Sequence, residues 1–390
     1  MAETDTLIQK LQWSLPWLLS YPFWRAREVL RRTTVRSSGQ NLIFIIANHF
    51  EPAWSTTGML DISTQLRRLD EWCEKALRIG SAVRDFDGTP FRHTNFYPAE
   101  QYHSGLLEKL ASLQRDGFGE VEVHLHHGVG QPDTANNLKR VLIEFRDILA
   151  EEHGCLSYEK GSSIPKYAFV HGNLALANSA GGRNCGVDSE MAILAETGCY
   201  ADFTLPSAPE QSQVPRLNAI YQCAHALDQK IPHRSGPTVS VGVRPTLPVI
   251  FSGPLVFNWG RRLYGLPIPR IENAVLAANY PPSIERLERW RNASIGVAGK
   301  PEWIFIKLSC HGFIPADQDF TIGDPMRQFL LELLELADKG KQFKIHFASA
   351  REAFNMVLAA ADGRKGEPGE YRDYHYRTMN DLKIGKVHSS

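Results

Sequence analysis

Three histidines fall within four residues at the end of an alternating run, Glu120–His127 (EVEVHLHH). Imidazole is both the acid/base group near pH 7 and the commonest metal ligand. Side chains on a strand alternate faces. Val121, Val123 and Leu125 therefore share one face, and Glu122, His124 and His126 share the other. Hydrogen-bonded histidines in a polar interior are the plainer reading. Three so close together are hard to satisfy, however, without a charge partner or a metal. A second run ends Asn48-His49-Phe50-Glu51-Pro52, which puts His49 and Glu51 on one face. Imidazole and carboxylate at i, i+2 offer two ligands for a divalent metal, or a base beside a ligand.

Other apolar runs end in the same way. His171 and Asn173 close KYAFVHGN, and Asp202 and Thr204 share a face of the next run. Lys307, Ser309 and His311 alternate in WIFIKLSCH, and Lys344 and His346 stand in the last run. Any one of these is as compatible with structure as with function; the set points to a site. Nothing matches a nucleophile motif: there is no G-x-S-x-G, and Cys310 and His311 are strand neighbours facing opposite ways. The chemistry indicated is a metal-activated water, with a histidine protonating the leaving group.

Positioning such groups requires strands whose ends meet. Strand-like runs are expected at Leu42–His49, Phe91–Tyr97, Glu120–His127, Lys166–His171, Tyr200–Leu205, Trp303–Cys310 and Phe343–Phe347. Helical spacing lies between them, at 62–79, 99–115, 134–153 (with Asp133 as its expected cap), 187–197 and 324–338. Ser349-Ala-Arg-Glu352 reads as a capping box opening a last helix. Sustained alternation is the mark of a parallel α/β fold. The expectation is a distorted (β/α)7-8 barrel, in which active sites sit at the C-terminal strand ends. The barrel would form a single domain over 39–361, with 236–282 as an irregular insertion or lid and 362–390 as a loosely attached polar tail.

Composition narrows the function classes. Forty-three basic side chains balance 43 acidic ones among 390 residues, and there are 14 histidines. Zero net charge gives no strong basic field, so no nucleic-acid partner is expected. The six cysteines are scattered with no C-x-x-C pair, which disfavours a redox motif or a disulfide scaffold. MAETDTLIQK lacks the basic start of a secretory signal, and no run reaches the roughly 18 apolar residues of a membrane span. A cytoplasmic location is therefore expected. Residues 1–38 combine Trp13, Trp17, Tyr21 and Trp24 with Arg25, Arg27, Arg31, Arg32 and Arg36. They would either pack over the domain or make peripheral membrane contact at the headgroup layer.

The order NHFEP, EVHLHHG, FVHGN, CYADFTLPS and KLSCHG resembles the glycoside hydrolase/deacetylase β/α-barrel superfamily, and within it a polysaccharide-deacetylase-like branch. The likeness spans roughly residues 40–360. It implies a distorted barrel, a divalent metal, typically zinc, and removal of N- or O-acetyl groups from a polysaccharide or its precursor. Carried onto this chain, Glu51, His124 and His126 would be metal ligands, with His49 as base or fourth ligand. His311 would be the general acid and Asp202 would orient a partner. His171, Asn173 and Lys307 would meet the carbohydrate substrate. Two alternatives stay open. One is a glycoside hydrolase using Glu51 and Asp202 as paired carboxylates. The other is a non-catalytic carbohydrate-binding or assembly protein.

Overall fold

A computed structural model describes residues 6–35, 39–55, 58–340 and 343–382. The chain opens with a long helix, α1 (Leu7–Val35), and the first strand, β1 (Gln40–His49). Then come α2 (Ile62–Ala82), β2 (His93–Pro98), α3 (Ser104–Arg115), β3 (Gly119–Leu125), α4 (Ala135–Asp147), β4 (Ser157–Glu159) and β5 (Pro165–His171). The middle holds α5 (Glu190–Thr197), β6 (Cys199–Asp202), β7 (Ile220–Tyr221), β8 (Val249–Phe251), β9 (Val256–Leu263), β10 (Leu266–Glu272) and β11 (Val275–Leu276). The chain then runs through α6 (Ile284–Ala293), β12 (Trp303–Cys310), α7 (Gln318–Ile322), α8 (Asp324–Gly340), β13 (Phe343–Phe347), α9 (Ala350–Ala361) and β14 (Tyr376–Thr378).

The main sheet runs β11-β12-β1-β2-β3-β5-β6-β8-β7. Along this path every step from β11 to β8 is parallel and β7 joins antiparallel, while off it β4 pairs antiparallel with β5 and with β14. This is the parallel α/β arrangement the alternation predicts. Strand hydrogen bonds do not join β8 to β12 among the described residues, so the sheet is curled rather than shown closed. Contacts across the curl are close nonetheless: Lys307 on β12 donates to the Leu205 carbonyl beyond β6 at 2.9 Å. One edge of β1 forks. Gln40–Phe44 pairs with β13, and Ala47–His49 pairs with β2.

Parity along the strands sorts two cores. Leu42, Phe44, Ile46, Val121, Val123, Ile304 and Ile306 pack in the cluster that holds α2, α3 and α8. Ile43, Ile45, Ala47, Ala168, Val170, Val249 and Phe305 form the other, together with α9. Every residue of α9 is buried. Its start is held by the predicted capping box, Ser349 with Glu352, and by Ala350 N–H donating to Thr94 Oγ1 at 2.8 Å.

Several boundaries differ from expectation. The insertion 236–282 contributes β8 to the parallel sheet before its β9–β10 hairpin departs. The tail is fastened rather than loose: β14 pairs with β4, and Arg372 reaches Asp85 and Asp87 at 3.0 and 2.9 Å. Residues 383–390 of that tail, and Arg36, lie outside the described residues. Thr134, not Asp133, caps α4; Asp133 is turned toward His127 instead. Of the two roles expected of residues 1–38, the described part, helix α1, shows the packing. Trp17 is fully buried against Ala208, Leu217 and Leu255, while Ile8, Leu11, Leu15, Leu19, Phe23 and Leu30 stay exposed.

Candidate metal centre and cleft

The C-terminal ends of β1, β3 and β12 open on one cleft of about 710 Å³. His49, Glu51, His126, Asn173 and His311 line it, with Trp54, Glu100 and Arg183 around them. Asn48, the residue before His49, braces the floor. Its side chain donates to Asn95 Oδ1 at 3.0 Å and accepts the Gly312 N–H at 2.9 Å, tying the ends of β1, β2 and β12 together.

Glu51 is the hub. Its Oε1 lies 3.3 Å from His124 Nε2 and 3.4 Å from His126 Nε2. His124 Nδ1 donates to the Val170 carbonyl at 2.8 Å, so Nε2 is the nitrogen presented to Glu51. His49 packs beside them, edge-on to His124 and tilted against His311, with ring centroids 5.1 Å and 4.6 Å away. The ligating atoms of His49, Glu51 and His124 all lie within 4.8 Å of one another. His126 stands one step out, shared between Glu51 and Glu100, whose Oε1 is 2.6 Å from its Nδ1.

Electrostatics divides the histidines. Burial, helped by the neighbouring His311 and His124, pushes His49 well below its usual value. Burial likewise lowers His311. Burial would raise the Glu51 carboxyl, but the His124 and His126 hydrogen bonds overturn this and hold it far below the carboxylate range. Burial opposes charge on His126 too, yet Glu100 and Glu51 win and lift it to about 9. The result is an anionic carboxylate, a neutral His49 and a cationic His126.

That donor set fits a divalent metal. His49, Glu51 and His124 could hold it, with two imidazoles and a carboxylate and an open side facing the cleft. A hydrogen-bonded Nδ1, as on His124, is the usual way a metal-binding imidazole is oriented.

The structure brings together His49, Glu51, His124, His126, His311 and Asn173 of the expected residues. Three others stand apart. His171 continues the parity of Tyr167 and Phe169, opposite to Ala168 and Val170. It is fully buried and reaches Glu190, not the cleft. Lys307 is buried beneath His49 and spent on the Leu205 carbonyl, with burial lowering it to about 7. Asp202 is bound to the Thr204 N–H and hydroxyl at 3.1 and 2.8 Å, and burial raises it to about 7. It does not line the cleft, so a carboxylate pair of Glu51 and Asp202 is not formed there. His346 is locked between Asp87 and Asn41 at 2.6 and 2.8 Å, in a structural role.

Two kinds of residue escaped the sequence reading. Glu100 sits just beyond β2, at the same C-terminal end as the other groups. That position is the signal that would have found it. Asp133, Cys185 and Glu190 gather around His127 and His171 in a second buried cluster. No alternation marks them, because they come from a loop and a helix start. Compared with known proteins, the chain matches no family model, and no curated protein sequence matches it.

Proposed function

We propose that this protein is a metal-dependent carbohydrate hydrolase, a deacetylase of a polysaccharide or its precursor. One observation carries the reading: His49, Glu51 and His124 converge within 4.8 Å at the open side of a cleft, with the His311 ring against His49. The resemblance in the sequence supplies the reaction class; the geometry supports the group set such a reaction needs. A divalent cation of the zinc type, held by His49, Glu51 and His124, would polarise an acetyl carbonyl and acidify a water. His311, kept neutral by burial, takes up a proton and returns it to the leaving amine or alkoxide. His126, held between Glu100 and Glu51 at 2.6 and 3.4 Å, orients the Glu51 carboxylate from the cleft side. Trp54 and Asn173 on the cleft wall offer an aromatic surface and an amide to a sugar ring. The test is acetate release from N-acetylated oligosaccharides by zinc-reconstituted protein, repeated after chelation and with Glu51→Gln. Chelator-sensitive release that Glu51→Gln abolishes is expected. Turnover indifferent to chelation, or oligosaccharide binding with no turnover at any metal, would overturn the proposal.

We also propose that α1 rests on an anionic membrane surface. No helix among the described residues is long and apolar enough to cross a membrane. The stripe Ile8, Leu11, Leu15, Leu19, Phe23 and Leu30 is nevertheless exposed, with Leu19 and Phe23 at 69% and 79%. Exposed Arg25 and Arg27 flank it, complementary to anionic headgroups. The β9–β10 hairpin, whose Phe257 packs on Trp17, adds the exposed Trp259, Tyr264 and Leu266.

A further inference from the structure

We infer that His127, His171, Cys185 and Glu190 form a second metal site, enclosed and suited to zinc, behind the wall of the cleft. This inference is independent of the reading of the cleft itself.

All four residues are buried, and one ligating atom from each falls within 4.8 Å of the others. Their remaining polar atoms are already committed. His127 Nδ1 faces Asp133 Oδ2 at 3.1 Å, and His171 Nδ1 donates to the Gly172 carbonyl. Glu190 Oε2 accepts the Ala177 N–H at 2.6 Å. A carboxylate or carbonyl fixing the far nitrogen of each imidazole is the arrangement that orients histidine ligands on a metal. What is left pointing inward is His127 Nε2, His171 Nε2, Glu190 Oε1 and the Cys185 sulfur.

The spacing suits a shared ion. Glu190 Oε1 lies 3.1 Å from His127 Nε2 and 3.5 Å from His171 Nε2, and the Cys185 sulfur lies within 4.8 Å of the other ligating atoms. Bonds of about 2.0 Å to nitrogen and oxygen and 2.3 Å to sulfur place tetrahedral ligands about 3.3–3.6 Å apart. Hydrogen bonding accounts for only part of the cluster: His127 Nε2 pairs with Glu190 Oε1 at 3.1 Å, and the Cys185 thiol reaches Glu190 Oε2 at 3.5 Å. His171 Nε2 is fully buried without a hydrogen-bond partner, a costly state for a polar atom. His233, also fully buried, has neither ring nitrogen paired and lies within electrostatic reach of Glu190 and His171.

The backbone is shaped for the approach. Gly128 follows His127 at φ +65°, and a Cβ there would stand 2.1 Å from the Cys185 carbonyl oxygen. Only glycine lets the two segments close, and Asp133 N–H to Cys185 O at 2.8 Å holds them. By contrast, the Asp85–Asp87–His346 cluster already holds a cation, the Arg372 guanidinium. Two imidazoles, a thiolate and a carboxylate are a zinc-type donor set, unlike the all-oxygen cages of calcium and magnesium. Four protein ligands leave no open position, so this site is structural. It joins the ends of β3 and β5 to the loop before α5, and the neighbouring His126, Asn173 and Asn184 line the cleft.

Cobalt(II) titration of the chelator-stripped full chain tests this. Cys185 is the one cysteine in the cluster, and no cysteine lines the cleft. A thiolate-to-cobalt charge-transfer band in the near ultraviolet therefore reports this site alone. The band should saturate at one cobalt per chain, vanish in Cys185→Ser and His171→Ala, and persist in Glu51→Gln and Cys310→Ser. Zinc should displace it and raise the thermal midpoint of the wild type. A wild type that binds cobalt without the band, or binds none, overturns the inference whether or not the variants fold. Loss of acetate release in Glu51→Gln with the band intact would bear on the cleft alone.

Discussion

Replacing Gly172 by alanine adds one methyl group behind the cleft, and the structure says what it meets. A Cβ there would lie 2.4 Å from His126 Cδ2, 2.5 Å from Cγ and 2.7 Å from Cα. Ordinary carbon contacts are about 3.5–4.0 Å, so the methyl falls roughly 1 Å short of room. Swinging the ring relieves only part of this, because one clashing atom belongs to the backbone. That backbone is itself tied by His126 N–H to Glu100 at 3.3 Å. Overpacking of this kind costs about 1–3 kcal/mol of stability. The displaced ring also leaves Glu51 and Glu100, the groups that hold it.

The variant should therefore show a lower urea midpoint and zinc binding weakened by about 10–100-fold, the range for losing an orienting partner of a ligand. Adding His126→Ala removes the ring clash but not the Cα clash, so the double variant recovers part of the stability and none of the zinc affinity. Gly39→Ala, where nothing lies within 4 Å, is the neutral control. Wild-type midpoint together with wild-type zinc affinity in Gly172→Ala would show that the turn after β5 does not press on His126.

Other perturbations reach further. Burial would raise Glu352, but Arg92, Arg372 and Arg351 surround it and hold it at about 2 against an ordinary 4.5. Its folded value is depressed, so its contribution is present above pH 4.5 and is lost as pH falls toward 2. That amounts to about 3 kcal/mol, and denaturant midpoints across that window should fall less steeply in Glu352→Gln, the remaining slope coming from other depressed carboxylates such as Glu190. Arg286→Met leaves Glu272 buried without its 2.8 Å bidentate partner and should cost about 3–5 kcal/mol, much of it recovered by Glu272→Met in the same chain. Phe23→Glu or Leu19→Glu should abolish flotation with anionic vesicles while leaving the circular dichroism spectrum unchanged; flotation retained in both would exclude the α1 stripe as the contact.

The extent to which the site was legible follows from one rule and its edges. Alternation placed Ile304, Ile306 and Leu308 on one side of β12 and Lys307 and His311 on the other, and the packing has them so. The same rule paired His49 with Glu51 and His124 with His126, and the fold brings His49, Glu51 and His124 together. Parity alone does not say which face of a strand looks inward; the neighbours' packing does. In β5 the inward residues are Ala168 and Val170, which turns His171 to the opposite layer even though it stands at a strand end like the others. Small inward residues on β5 leave room there for the His124 ring, whose Nδ1 takes the Val170 carbonyl. Depth was equally invisible. Lys307 shares its face with His311, but lies four residues nearer the start of the strand and spends its charge under the cleft rather than in it. β3 ends at Leu125, so His127 is free of the alternation and turns toward Asp133 and Glu190. The histidine-rich run thus reads as two sites divided at one peptide: His124 and His126 serve the cleft, and His127 serves the cluster that braces its wall.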